Sequence, residues 1–300
     1  MPLVCRPARP EDLERADELV VASINDLTER HGFGQMATSR PPSLQLFSLK
    51  DDPDGLWVAE DGGELLGFAW SWVCGDLWFL AQLFVSPGQQ GRGIGNDLLA
   101  RALDHAQKSG AGNRALITFT FNTVSQGLYM RHGFYPRFPI YFFGIARERL
   151  AGRLEGPDLR CEALEGTASQ MRTLAEIDAR ALGVSREKHH RFLINDPATR
   201  GVGLYSGEAC VGYAYVSAEG HVGPLAVAEP DALGPAFQTA LSLASEAGTS
   251  RVTAFLPGGN DAALGAAVAH GMRITFPMVM MSTRAFPDWT QYLPRNPGFM

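Results

Sequence analysis

Three features of the chain call for an α/β fold present in two copies. Apolar runs of strand length alternate with stripes of helical period over residues 3–145. A glycine-rich stretch joins one of those strands directly to one of those helices. The pattern of the first half then returns, weakened, in the second. A length of 300 residues agrees with two domains.

Residues 3–9 read as a strand, and Pro10-Glu11-Asp12 opens a helix with a proline and acids where a helix start favours them. Leu13, Ala16, Val20, Ile24 and Leu27 form its apolar stripe. Residues 31–42 turn polar and rich in Gly and Pro, a loop or a broken second helix, and 44–49 suit a short helix. Residues 56–60 form a strand, Asp61-Gly62-Gly63 a hairpin turn and 65–73 the return strand. On that return strand Phe68, Trp70 and Trp72 share one face. The next strand, 76–85, runs into three glycines on alternate positions, Gly91, Gly93 and Gly95. A helix follows with Leu98, Leu99, Ala102, Leu103 and Ala106 on one stripe. Residues 115–121 are a strand, Asn122 stands where an N-cap belongs, and Gly133 stands where a left-handed C′ residue belongs. Residues 140–145 are a last strand.

The charged, glycine-containing stretch 146–158 marks a boundary, giving a first domain over 1–150. In the second half Val211-Gly212-Tyr213-Ala214-Tyr215 echoes Leu66-Gly67-Phe68-Ala69-Trp70, and Leu225-Ala226-Val227 echoes Leu83-Phe84-Val85. Asn260 with His270-Gly271 echoes Asn122 with His132-Gly133. The glycine stretch has no echo: Pro230 and Pro235 remove N–H donors there, and Ala267 stands at the place of Tyr129. A second, degenerate domain is expected over 157–285 and an irregular tail over 286–300.

A formal charge of −6 with no Lys/Arg run argues against nucleic acid or an anionic membrane as partner. No signal peptide is evident in residues 1–10, and no apolar run is long enough to span a bilayer. Cys5, Cys74, Cys161 and Cys210 are scattered, as free thiols of a cytoplasmic protein would be. His189-His190 read as surface residues, and no metal site is expected.

Glycines let a backbone approach a ligand closely, and a helix start adds unpaired N–H groups and a positive dipole end. Together they suit a pyrophosphate. Neither a Walker loop nor the dinucleotide fingerprint fits the spacing. The stretch Val85-Ser86-Pro87-Gly88-Gln89-Gln90-Gly91-Arg92-Gly93-Ile94-Gly95 instead resembles the acyl-coenzyme A loop of the GNAT superfamily of N-acyltransferases, with Gln90, Gly93 and Gly95 filling that family's pattern. The order of elements agrees with the same family. The resemblance therefore implies two tandem GNAT-like domains, each a mixed, twisted sheet flanked by helices, only the first competent.

That resemblance implies acetyl-CoA as co-substrate. The N–H groups from Gln90 through Gly91, Arg92, Gly93, Ile94 and Gly95 to Asn96 would hold its pyrophosphate, and Leu83, Phe84 and Val85 would pair with its pantetheine arm. The N–H of Val85 would polarise the thioester carbonyl. Asn122 would bond the same arm, unless it serves only as a helix cap. Tyr129 would give a proton to the leaving thiolate, the alternative being a tyrosine packed on the sheet. Relatives carry a basic Glu on the fourth strand, where this chain has Leu80, Ala81 and Gln82. A water chain, Asp76 or a weakly basic acceptor are the alternatives left. The loop 31–42 with Trp70 and Trp72 would line the acceptor pocket. His105 and His132 carry no assigned role. Two readings follow: an N-acetyltransferase acting by direct attack on a small-molecule amine, as monomer or homodimer, or a non-catalytic acyl-CoA sensor.

Overall fold

The computed structural model describes residues 3–154, 158–246, 250–287 and 289–300. The chain forms two compact units, one reaching Tyr135 and including Ser282–Arg284, the other comprising Pro136–Met281 and Ala285–Met300.

The first unit contains β1 (Val4–Pro7), α1 (Leu13–Arg30), α2 (Ser43–Asp51), β2 (Leu56–Asp61), β3 (Glu64–Cys74) and β4 (Leu77–Val85). It continues with α3 (Ile94–Ser109), β5 (Asn113–Phe119) and α4 (Thr123–Arg131). The strands lie in the order β1-β2-β3-β4-β5, antiparallel up to β4 and parallel between β4 and β5. Ile94 and Leu98 of α3 pack on Ala59, Leu66 and Ala69. The helix comes so close that a Cβ on Gly67 would lie 2.8 Å from Leu98 Cδ1. The ladder with β2 slips at Leu66, and from Gly67 on the odd-numbered residues of β3 face α3, while Phe68, Trp70 and Trp72 face away from it, sharing a face as the period-two pattern requires. Trp72 is buried and stacks on Phe79 at 4.9 Å, which makes it core.

Residues 31–42 contain no second helix. They run as a loop held along α1 by three side chains, of which Thr28 donates through Oγ1 to Gly34 O at 2.6 Å. Asn25 accepts from the N–H groups of Met36 and Ala37 at 2.9 and 2.8 Å and donates to Ala37 O at 3.0 Å. Asp17 accepts from Ser39 Oγ at 2.6 Å and Arg40 N at 3.0 Å. At the start of the loop His31 and Phe33 both lie 4.8 Å from the ring of Phe121.

The second unit holds β6 (Tyr135–Ala146), α5 (Arg147–Ala151), β7 (Arg160–Ala163), α6 (Ala168–Leu182), α7 (Glu187–Ile194), β8 (Thr199–Ser206) and β9 (Ala209–Ser217). β10 (His221–Val227), α8 (Leu233–Glu246), β11 (Arg251–Pro257), α9 (Asp261–Ala269), β12 (Arg273–Ser282) and β13 (Tyr292–Leu293) follow. The order is β12-β6-β11-β10-β9-β8-β7, with β13 on β10. Its core is α8, buried along most of its surface, against the sheet residues Leu204, Ala214, Leu225, Val252 and Ala254.

The echo between the halves holds in three dimensions. α4 and α9 each have an Asn N-cap whose side chain accepts from the N–H three residues on, Ser125 at 3.2 Å and Ala263 at 3.0 Å. Each is followed by a left-handed glycine, Gly133 at φ 82° and Gly271 at φ 80°.

The chain departs from the sequence-based expectation at two places. The strand at 140–145, expected to finish a first domain ending near 150, pairs in the second unit with β11, from Ile140 opposite Pro257 to Ala146 opposite Arg251. His189 and His190 are not surface residues but 2% and 1% exposed. Neighbouring positions on a helix can both be buried when it is enclosed on two sides: His190 bonds Asp178 and Tyr215 at 3.0 and 2.9 Å, while His189 packs on Phe299 at 4.5 Å. Burial first, then Arg186, holds the His189 imidazole well below its ordinary pKa. The stretch after 285, irregular apart from β13, is packed: Trp289, Tyr292, Leu293, Phe299 and Met300 have no solvent exposure.

Candidate active site

β4 meets β3 in a ladder with one slip: Trp70 lies opposite Gln82 and Ser71 opposite Leu80, so Ala81 is the extra residue of a bulge. On the other side β4 pairs with β5 only from Leu77–Asn113 to Leu80–Leu116, although both strands continue. Beyond Leu80 the two have parted.

The parity of the β3–β4 ladder fixes what faces the gap. Ser86 N donates to Leu66 O at 2.9 Å. In an antiparallel pair, bonded and non-bonded positions alternate. Phe84 and Gln82 therefore bond to β3, whereas the N–H and C=O groups of Leu83 and Val85 point the other way, towards the side β5 has left. Val85 O is already occupied by Ser23 Oγ at 3.2 Å and Gln90 Nε2 at 3.2 Å. The Gln90 side chain thus braces the strand end instead of reaching outward.

Past Val85, Pro87–Gln89 makes one 3-10 turn and the chain bends twice through left-handed glycines, Gly91 at φ 81° and Gly93 at φ 88°. An L side chain is disfavoured at both. Gly93 is the N-cap of α3 and caps with no side chain. Asp97 N bonds Gly93 O at 3.1 Å, so the N–H groups of Ile94, Gly95 and Asn96 are the helix's own unpaired donors. Ile94 is buried and pins the turn. Arg92 bonds the Gln89 side chain at the surface. Residues 83–96 thus assemble one surface: outward strand amides, then an uncapped helix start, a fit for an extended arm ending in a pyrophosphate.

Asn122 and Tyr129 stand two turns apart, on one side of α4. The cap uses Asn122 Oδ1 and leaves the side-chain amide as a donor. Tyr129 is buried, edge-on to Phe134 at 6.3 Å, and desolvation pushes its phenol well above the ordinary value.

Gln82 stands where a basic Glu is expected, and Trp70 is expected at the acceptor pocket. They are cross-strand partners on the face turned away from α3. Gln82 Oε1 and Trp70 Nε1 are both shielded from solvent with no hydrogen-bond partner. An acceptor and a donor without partners thus sit on one cross-strand pair, with Trp70 itself 3% exposed. Asp76, a sequence candidate for the base, accepts from Gly112 N at 2.6 Å at the opposite end of β4. That is about 30 Å along the strand from Val85 at ordinary strand rise.

A Ser71–His105–Asp52 row imitates a nucleophilic triad. His105 Nδ1 lies 2.9 Å from Ser71 Oγ but also accepts from Trp78 Nε1 at 3.2 Å, and His105 Nε2 lies 3.1 Å from Asp52 Oδ2. With its Nδ1 lone pair facing an indole N–H and Ser71 fully buried, the row is a clamp between β3 and α3. Among the described residues no group of three or more His, Cys, Asp or Glu is placed to hold a metal ion, and no helix is long and apolar enough to cross a membrane.

A mixed sheet that parts beside a glycine-bent helix start defines an α/β protein built for an extended anionic ligand. Residues 22–134, within the first unit, match the acetyltransferase (GNAT) family. A GCN5-related N-acetyltransferase from Sphaerobacter thermophilus has the same fold, with a TM-score of 0.67 at 16% identity, over 96% of this chain and 98% of that one. So has a tandem GNAT protein from the clavulanic acid biosynthesis pathway, at 0.63 and 18% identity, over 95% and 99%. In sequence, a mycothiol acetyltransferase of Streptomyces bingchenggensis is 34% identical over 104 residues, 31% of this chain and 33% of that protein. The chain thus spans about a third of the length of the curated relatives it matches.

Proposed function

We propose that the first unit transfers an acetyl group from acetyl-CoA to the amine of a small molecule, by direct attack with both bound. The observation that carries this reading is the outward N–H of Val85, in the gap where β4 leaves β5, eight residues before Gly93, where an uncapped helix starts. Acetyl-CoA, when bound, supplies the acyl thioester. The N–H groups of Gln90 to Asn96 hold its pyrophosphate, Leu83 to Val85 pair with its arm, and Asn122 donates its free amide to that arm. Val85 N–H stabilises charge on the carbonyl oxygen. Tyr129 keeps its proton throughout the neutral range and acts as a hydrogen-bond donor to the leaving sulfur. Relatives named mycothiol acetyltransferases support a small-molecule acceptor, and four free cysteines suit a reducing cytoplasm.

The test is thiol release from acetyl-CoA over a panel of amines. Turnover is expected, and Tyr129→Phe should lower kcat about tenfold to a hundredfold, the worth of one hydrogen bond to a charged group, with coenzyme A affinity kept. Binding without turnover on any amine would favour a second reading, an acyl-CoA sensor, for which Gln82 in place of a base is the specific observation.

On the catalytic reading Gln82 orients the amine through Oε1 but takes no proton. A primary amine of pKa near 10 is only about one part in a thousand unprotonated at pH 7. The rate should therefore climb about tenfold per pH unit until the acceptor's own pKa. Gln82→Glu should raise the rate at pH 7 by about tenfold or more and flatten that climb, since a placed base contributes roughly 10²–10⁴. An unchanged pH profile in the variant would take Gln82 away from the amine.

A further inference from the structure

The second unit repeats the strand gap of the first, and the gap is full. β10 pairs in parallel with β11 only at His221–Thr253 and Val222–Ala254, although both strands run on. Into the opening comes the segment 289–293. Leu293 and Tyr292 lie antiparallel to Leu225 and Ala226. Val227, the counterpart of Val85, donates its N–H to Gln291 O at 3.1 Å. The Gln291 side chain donates back to Val227 O at 3.2 Å and Ala228 O at 2.7 Å. Asn260, the counterpart of Asn122, caps α9 with Oδ1 and gives its amide to Trp289 O at 3.0 Å and Thr290 O at 3.2 Å.

We infer that the gap of the second unit is a site for an extended polypeptide, held permanently by the chain's own segment 289–293, and not a second acyl-CoA site. Both groups assigned to the donor's arm in the first unit, the strand N–H and the amide of the cap, are here bonded to main-chain carbonyls. Three of the occupant's five side chains are fully desolvated, Trp289, Tyr292 and Leu293 at zero exposure, and Thr290 and Gln291 are half-buried. β10 is shaped to it as well: a Cβ on Gly223 would lie 2.6 Å from Pro294 O. The phosphate grip is absent, since the link from strand to helix is 228–232 instead of 86–93 and carries Pro230 with no left-handed glycine. An acyl-CoA therefore has nothing to gain from displacing the segment. β-Strand addition of this kind draws its affinity from main-chain bonds, which any extended chain of compatible side chains can make.

The test is hydrogen exchange on the full chain, with coenzyme A titrated calorimetrically in parallel. The amides of 291–293 and Val227 should be protected, and saturating coenzyme A should leave that protection unchanged while binding no more than once per chain. Gln291→Ala, which loosens the segment but leaves the gap intact, should speed exchange at Val227 about tenfold, and a synthetic peptide of residues 285–300 should restore protection. Asn260→Asp, which keeps the cap and puts a carboxylate against the Trp289 and Thr290 carbonyls, should loosen the segment too. Loss of protection on adding coenzyme A, or two molecules bound per chain, would overturn the inference, as would unchanged exchange in both variants. Failure of coenzyme A to bind at all would count against the proposed function and leave the exchange results standing.

Discussion

Val85→Pro should fold and lose about 10²–10³ in kcat, the cost found for removing one donor to a developing oxyanion. Proline is tolerated in a strand only where its missing N–H faces away from the ladder. The parity of β3 and β4 puts Val85 in that position, because Ser86 N is the group that bonds Leu66 O. The residue before a proline must be extended, and Phe84 already lies within β4. The side chain of Val85 faces α3, where Cγ2 would lie 3.7 Å from a Cβ on Gly95, so the ring costs some packing there. Val85→Ala corrects for that loss, since it trims the same contact and keeps the N–H. The expected pattern is a near-native Tm for both variants, activity close to normal for the alanine and a collapse of kcat for the proline. Equal activities would mean that the outward amide of Val85 touches nothing that changes charge.

The first unit was readable from its residues wherever a backbone demand leaves a chemical mark. Gly91 and Gly93 have positive φ, and Asn122 and Gly133 bracket α4 with the residue types such ends require. The period-two aromatics of β3 share a face because a strand can do nothing else with them. What was not readable depends on partners distant in sequence. Asn25 and Asp17 look like ordinary polar positions on α1 until the loop 31–42 lies against them. A polar Asn on the loop-facing side of that helix was the available signal. Residues 292–293 make a strand too short for any periodicity, next to a proline, and gain their conformation from β10. The burial of His189 and His190 follows from the same chain end, through Phe299, and from the buried Asp178.

The two units put one set of parts to opposite uses. Each has a strand that leaves its parallel neighbour and an Asn whose carbonyl oxygen caps the following helix. In the first unit these groups stand beside a glycine-bent turn with uncapped amides. In the second they are consumed by main chain, and the turn is shortened and stiffened by proline. Loss of the glycines and gain of an internal occupant are two sides of one change: a gap that no longer grips phosphate must still satisfy its strand and cap donors, because buried donors without partners are costly.

Arg186→Met should destabilise the second unit by about 3–5 kcal/mol, the usual penalty for stranding one member of a buried ion pair. Arg186 and Asp178 have no solvent exposure. The guanidinium donates through Nε and Nη2 to both Asp178 oxygens at 3.1 and 3.0 Å, to Tyr213 OH at 2.6 Å, to Tyr292 OH at 2.8 Å and to Met300 O. It thereby ties α6 and α7 to β9, β13 and the residues after it. Burial works to raise the Asp178 carboxyl, and Arg186 and His190 more than offset it, holding the group below its ordinary range. The sign follows from linkage: with the folded value depressed, the stabilisation is present above the ordinary carboxylate pKa and is lost as the pH falls through the lower folded value. At pH 7 the methionine variant must bury a carboxylate facing only His190, Tyr213 OH and the N–H of residue 186. Urea unfolding read by hydrogen exchange in β9 and β13 measures the loss. The double variant Asp178→Leu with Arg186→Met removes both charges and should recover most of it, because a well-packed apolar pair is often as stable as the ion pair it replaces. A single methionine that costs under about 1 kcal/mol, within the range of an exposed pair, would show that the second unit does not depend on this contact.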